Sequence, residues 1–260
     1  MKQWNGLLKK EWLSMRGLLL ASALLGIIAM SFLPLLLSKS FGSEERIFEF
    51  TIVICFIWAS ATVVVPGVAL FTMLEKDMKR PDVWLHSDAS IFKLVGLKVF
   101  LATLIGAVGL LIPTMVLAVQ YALLAPSIMT IDALLFYGSI FVVVSFGGSI
   151  SIMAIGYFFW VIYRLLKPYL IGFSIPITIL LFCFSLLVVE RIGRTEIYSK
   201  MVNVGRIDLL PLKKDIFDDG NGYFTLTETT FYMGEVVFGI FFITIMFVVA
   251  TVLFEKKVRL

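Results

Sequence analysis

Few side chains in this sequence have the type and spacing to carry out chemistry. His86 is the single histidine, and no other His or Cys lies near it in sequence. It therefore lacks the neighbours of a metal site or of a histidine-activated nucleophile. The two cysteines, Cys55 and Cys183, sit inside long apolar stretches, where a thiol packs as a small apolar group. Glu44, Glu45 and Arg46 form a short charge run that reads as a solvated loop. Asp218-Asp219-Gly220-Asn221-Gly222 has the composition of a tight turn. Its spacing does not match a calcium-binding EF-hand loop. The phosphate-cradling pattern GxxxxGK followed by Ser or Thr is absent. The expectation is a chain that is not an enzyme, with no catalytic, cofactor-binding or metal-binding residue of its own.

The elements that must carry these residues are set by where charge is missing. Six stretches contain no Asp, Glu, Lys, Arg or His: 17–38, 50–74, 99–131, 133–163, 168–189 and 236–254. A bilayer core is crossed by about 20 apolar helical residues, and a charge at its centre costs about 2.5–3.5 kcal/mol on insertion scales. Hydrophobic residues make up 60% of the 260-residue chain and charged residues 15%, against about 45–50% and 25% in soluble domains. The fold class expected is an all-α membrane protein, one transmembrane domain over 1–260 with six spans. Residues 1–16 are expected as an amphipathic elbow helix, and 190–232 as a small extracytoplasmic loop region between spans five and six. The net charge of +4 is too small to suggest nucleic-acid binding.

Basic residues orient the bundle. Lys2, Lys9, Lys10 and Arg16, then Lys76, Lys79, Arg80, Lys93 and Lys98, then Arg164 and Lys167, then Lys256, Lys257 and Arg259 all fall on one side of a six-span layout. The other side has Lys39 and Arg46 in short loops, and the rest in the long segment 190–232, which obeys the positive-inside rule weakly. Both termini are expected to be cytoplasmic, in a multi-pass protein of the cell membrane.

Within 2–16, Trp4, Leu7, Leu8, Trp12 and Met15 fall on one helical face and the basic residues on the other. Such a helix lies in the headgroup plane. Glu11 projects from the middle of the apolar face, where it either snorkels or meets a nearby Arg, or else faces a protein partner or caps another cytoplasmic segment. Pro66 with Gly67, Pro113 and Pro176 fall inside spans, where proline removes a backbone hydrogen bond; they read as packing kinks or as hinges. Span four carries Gly147 and Gly148 among other small residues, as a closely packed helix would. Residues 223–232 alternate like a short strand.

Residues 75–98 (EKDMKRPDVWLHSDASIFKLVGLK) lie between spans two and three. Pro81 can open a helical turn, and Ser87 or Asp88 can cap a second helix running into span three. A short crosswise helix here would expose Trp84 and Leu85 as a docking surface. The order of amphipathic N-terminal helix, six spans, charged segment after span two and outer loop before span six resembles the permease subunits of ABC-2 type transporters. Leu7-Leu8-Lys9-Lys10-Glu11 is similar to that family's elbow helix. Residues 75–80, 85–90 and Lys98 take the places of its Glu-rich stretch, its apolar Ser-containing stretch and its basic residue opening span three; Asp88 stands where the family often has Pro.

The resemblance implies a transporter subunit that docks a separate ATP-binding cassette ATPase through Trp84, Leu85, His86, Ser87, Asp88 and Ser90. ATP and Mg would be bound by that partner, and a second permease, identical or not, would complete an exporter. An amphipathic peptide, an antibiotic or a lipid-like molecule is the implied cargo. A non-transporting scaffold, an immunity or sensing subunit, or a channel is the alternative. The residues themselves bear on the choice. Span interiors without acidic, basic or histidine side chains lack the usual means of ion coupling, so uphill transport would draw its energy from a partner.

Overall fold

The computed structural model describes residues 2–43, 46–79, 90–124, 130–170, 172–208 and 230–258. In chain order the elements are α1 (Lys2–Ser40), α2 (Ile47–Thr62), α3 (Val65–Met78), α4 (Ile91–Leu124), α5 (Ile131–Leu166), α6 (Ser174–Gly193), α7 (Glu196–Val202), β1 (Arg206–Asp208), β2 (Thr230–Tyr232) and α8 (Met233–Val258). Among the described residues, six segments are long and apolar enough to cross a membrane: Met15–Ser40, Ile47–Met78, Ile91–Leu124, Leu134–Leu166, Ser174–Gly193 and Met233–Lys256. Large apolar side chains on them stand open, among them Leu25, Met115, Val143, Leu180 and Ile240. Apolar surface on that scale is untenable in water and ordinary against lipid. The chain is an all-α, multi-pass membrane protein.

One expectation changes at the N-terminus. The pattern predicts a separate elbow over 1–16, but α1 runs unbroken from Lys2 to Ser40. Nothing at Arg16 or Gly17 stops the helix, and Pro34 is accommodated inside it. Its 39 residues rise about 58 Å at 1.5 Å per residue, so the helix outruns a bilayer core of about 30 Å.

The chain divides into two compact units, Met1–Met153 and Ala154–Leu260. In the first, α1 packs on α2 and α4, and α2 and α3 both pack on α4. Met30, Cys55 and Val116 form a buried cluster with Ile54, Trp58, Ile112 and Leu117 against it. Glycines permit these close approaches. A Cβ at Gly26 would stand 2.5 Å from the Trp58 ring, and one at Gly106 would overlap the Pro66 ring. The second span breaks at Val63 and Val64, and Pro66 lies in the first turn of the helix that resumes. Proline cannot donate to the ladder and clashes with the carbonyl four residues back, so the span is two helices. Pro113, by contrast, is held inside a continuous α4 and is buried.

Pro176 is the second correction. The expected span begins at 168, which would put this proline inside the helix. Instead residues 167–169, 172 and 173 lie in turns, with Gly172 at φ +93°, and α6 begins at Ser174. Pro176 thus occupies the first turn, where a missing N–H leaves no bond unmade. It starts a helix and does not kink one.

In the second unit, the α5 residues from 154 onward contribute Tyr157, which is fully buried and stacks near Trp160 and Phe247. Thr195 caps α7 by accepting from the Tyr198 N–H at 3.4 Å. The strand expected over 223–232 is described only for β2, which pairs antiparallel with β1 in the register Arg206↔Tyr232, Ile207↔Phe231, Asp208↔Thr230. The Asp218–Gly222 turn lies outside the described residues.

Candidate functional site

A buried ionic cluster ties α1, α3 and α4 together. Glu11 lies about three turns into α1, Asp77 in the last turn of α3, and Lys98 two turns into α4. The Lys98 Nζ donates to Glu11 Oε1 at 2.7 Å and pairs with Asp77 Oδ2 at 2.9 Å. It also reaches the Met73 carbonyl oxygen at 3.4 Å. An ammonium has three donors and no acceptor, and here three oxygens meet it. Lys98 is 3% exposed and Glu11 4%. Charges are buried this deeply only when paired and hydrogen-bonded, because an isolated ion would forfeit its hydration.

The sequence leads to this site locally. Leu8 is half-buried and Met15 buried on the same side of α1 as Glu11, while Lys9, Lys10 and Arg16 are exposed. Trp12, on the apolar face read from the sequence as membrane-facing, is 45% exposed; the face covered by protein is centred on Glu11. On α3, Leu70, Met73 and Leu74 are buried, as are Val95, Leu97 and Leu101 on α4. Lys98 therefore emerges from an apolar helix face, and the two carboxylates are what make its position tolerable.

The cluster brackets residues 79–90. Asp77 stands just before them and Lys98 two turns after. Of the expected docking residues, Trp84, Leu85, His86, Ser87 and Asp88 lie outside the described residues. Ser90 is described, and it immediately precedes α4. Its Oγ accepts from the Lys93 N–H at 3.4 Å, and its carbonyl accepts from Lys93 and Leu94. The helix into span three thus begins at Ile91 with Ser90 at its cap, later than the start expected from Ser87 or Asp88.

The remaining sequence-predicted positions separate clearly. Pro66, Gly67 and Pro113 are buried between helices of the first unit. Gly147 and Gly148, expected in a tight helix contact, have nothing within 4 Å of a built Cβ. Small side chains permit close approach without enforcing it. Sequence reasoning singled out Glu11 as out of place but did not find its partners. The available signal was a carboxylate on an apolar face, which requires a cation, together with Lys98 and Asp77 at the ends of neighbouring apolar stretches.

Chemically, the cluster has no nucleophile and no histidine. Among the described residues no group of His, Cys, Asp and Glu is placed to hold a metal ion. Its capability is mechanical: it fixes three helices to one another at the two flanks of residues 79–90. Comparison of the chain with protein-family models, with curated proteins and with solved structures finds no match.

Proposed function

We propose that this chain is the membrane-spanning permease subunit of an ATP-driven exporter of the ABC-2 type. It takes its driving force from a separate ATP-binding cassette ATPase docked on the cytoplasmic segment around Trp84–Ser90. The observation that carries the reading is the Glu11–Lys98–Asp77 cluster. It clamps both flanks of residues 79–90 to α1, so a displacement of that segment by a docked partner would be passed to three membrane helices together. Two further features support it. The spans have few groups suited to coupling ions, and the layout is similar to that of ABC-2 permeases. The distribution of Lys and Arg favours cytoplasmic termini. A second permease subunit would complete the pathway, with an amphipathic or lipid-like cargo.

The test is a photo-crosslinking residue at position 84 in living cells. Capture of an ATP-binding cassette ATPase, followed by cargo-stimulated ATP hydrolysis in the co-purified complex, is the expected result. Accumulation of solute against a gradient by the reconstituted chain alone, without nucleotide, would overturn the proposal.

A further inference from the structure

We propose that the end of α5 forms a binding site for an anionic phospholipid headgroup, built from Arg164, Lys167, Tyr163 and Trp160. The Arg164 guanidinium lies 5.2 Å from the centre of the Trp160 ring and 5.9 Å from that of Tyr163. The Lys167 ammonium lies 5.8 Å from the same Tyr163 ring. Ring faces attract cations through their quadrupole. Two positive side chains are thereby drawn to one tyrosine, although like charges repel. Arg164 is half-buried and Lys167 exposed. Among the described residues no carboxylate forms an ion pair with Lys167.

The aromatic platform beneath is packed against a second helix. Trp160 packs on Phe254 of α8 with ring centres 5.6 Å apart, and Phe254 is buried. The ring contact brings the end of α8, with exposed Lys256 and neighbouring Glu255, into the same region. The apolar span that ends at Leu166 places this cation–aromatic group at the level where headgroups lie. Trp and Tyr concentrate at that level, and basic groups there attract anionic lipid. A lipid fits better than a free phosphate, because Val248, Val249, Val252 and Leu253 stand exposed on α8, the helix whose Phe254 packs on Trp160, and can receive acyl chains.

The experiment is native mass spectrometry of the full chain in neutral detergent, titrated separately with phosphatidylglycerol, phosphatidylcholine and inorganic phosphate. Phosphatidylglycerol should bind at least about 10-fold tighter than phosphatidylcholine, and millimolar phosphate should not displace it. Arg164→Gln with Lys167→Gln should weaken phosphatidylglycerol binding about 30-fold, and Lys167→Gln alone about 5-fold. The swapped pair Arg164→Lys with Lys167→Arg should retain binding. Lys39→Gln with Lys200→Gln, which removes the same charge from exposed positions elsewhere, should have no effect. Equal affinity for the two lipids would overturn the proposal, as would displacement by phosphate. So would a Lys167→Gln protein that binds like wild type, or lipid binding left intact while a protein partner is lost.

Discussion

Replacing Lys98 with methionine isolates the clamp. Methionine keeps much of the volume and apolar stem but removes the ammonium that Glu11 Oε1 meets at 2.7 Å and Asp77 Oδ2 at 2.9 Å. Two carboxylates are then left facing one another, with side chains only 6% and 16% exposed. Breaking a buried pair from one side costs about 3–5 kcal/mol, because the remaining charge loses the ion that offset its burial. At about 1.4 kcal/mol per tenfold, that lowers the folded-to-unfolded ratio by two to more than three powers of ten. The exposed Lys93→Met is the matched control and should lie within about 0.5 kcal/mol of wild type. Neutralising the acids as well, in Lys98→Met with Glu11→Gln and Asp77→Asn, should recover most of the loss, since the penalty belongs to the stranded charges. Unfolding in detergent mixed with increasing dodecyl sulfate reads all three variants. A Lys98→Met protein that unfolds with Lys93→Met would refute the clamp, and so would a triple variant no more stable than the single one.

Glu11→Ala should lower both stability and yield of any assembled complex far more than Lys9→Ala, because Lys9 is exposed and Glu11 is not; equal losses in a pull-down would count against a structural role for Glu11. Gly106→Leu should cost about 1–3 kcal/mol by forcing the Pro66 ring aside, whereas Gly148→Ala should be silent in the isolated subunit, and thermal melting of the pair separates the two cases. Pro176→Ala should leave the melting temperature within about 2 °C of wild type because the residue sits in a first turn, while Pro66→Ala should change packing at the α2–α3 break. Trp84→Asp with Leu85→Asp should weaken recovery of the proposed ATPase partner while membrane insertion stays normal; undiminished recovery would remove the docking surface from the proposal.

Much of the architecture is legible along the chain because it rests on local properties. A charge-free run of span length has one comfortable environment, and six such runs anticipate the six apolar helices. The break at Val63 and Val64 lies where Pro66 withholds an N–H and crowds the carbonyl four residues back, although Pro34 and Pro113 carry the same ring inside continuous helices. Pro176 shows the limit of that reasoning. It has the same ring, but the turns at 167–169 and 172–173 move the helix start to its doorstep, and that boundary depends on how the chain leaves α5. The elbow shows another limit. An amphipathic pattern over 2–16 specifies an apolar face, and does not say whether the helix ends where that face ends; α1 continues unbroken.

Glu11 was conspicuous in sequence as an acid on an apolar face, so the need for a cation was readable there. The identity of that cation was not. Lys98 is 87 residues away, and Asp77 approaches only because α1, α3 and α4 pack together. Gly106 and Gly148 likewise look alike as letters, yet one is pressed against a proline ring and the other stands open. In a soluble helix the apolar stripe marks the buried face. In a bilayer the faces toward lipid and toward protein are both apolar, so the pattern reports that a helix crosses and is silent about its rotation. Only the packed arrangement of helices decides which side chains meet.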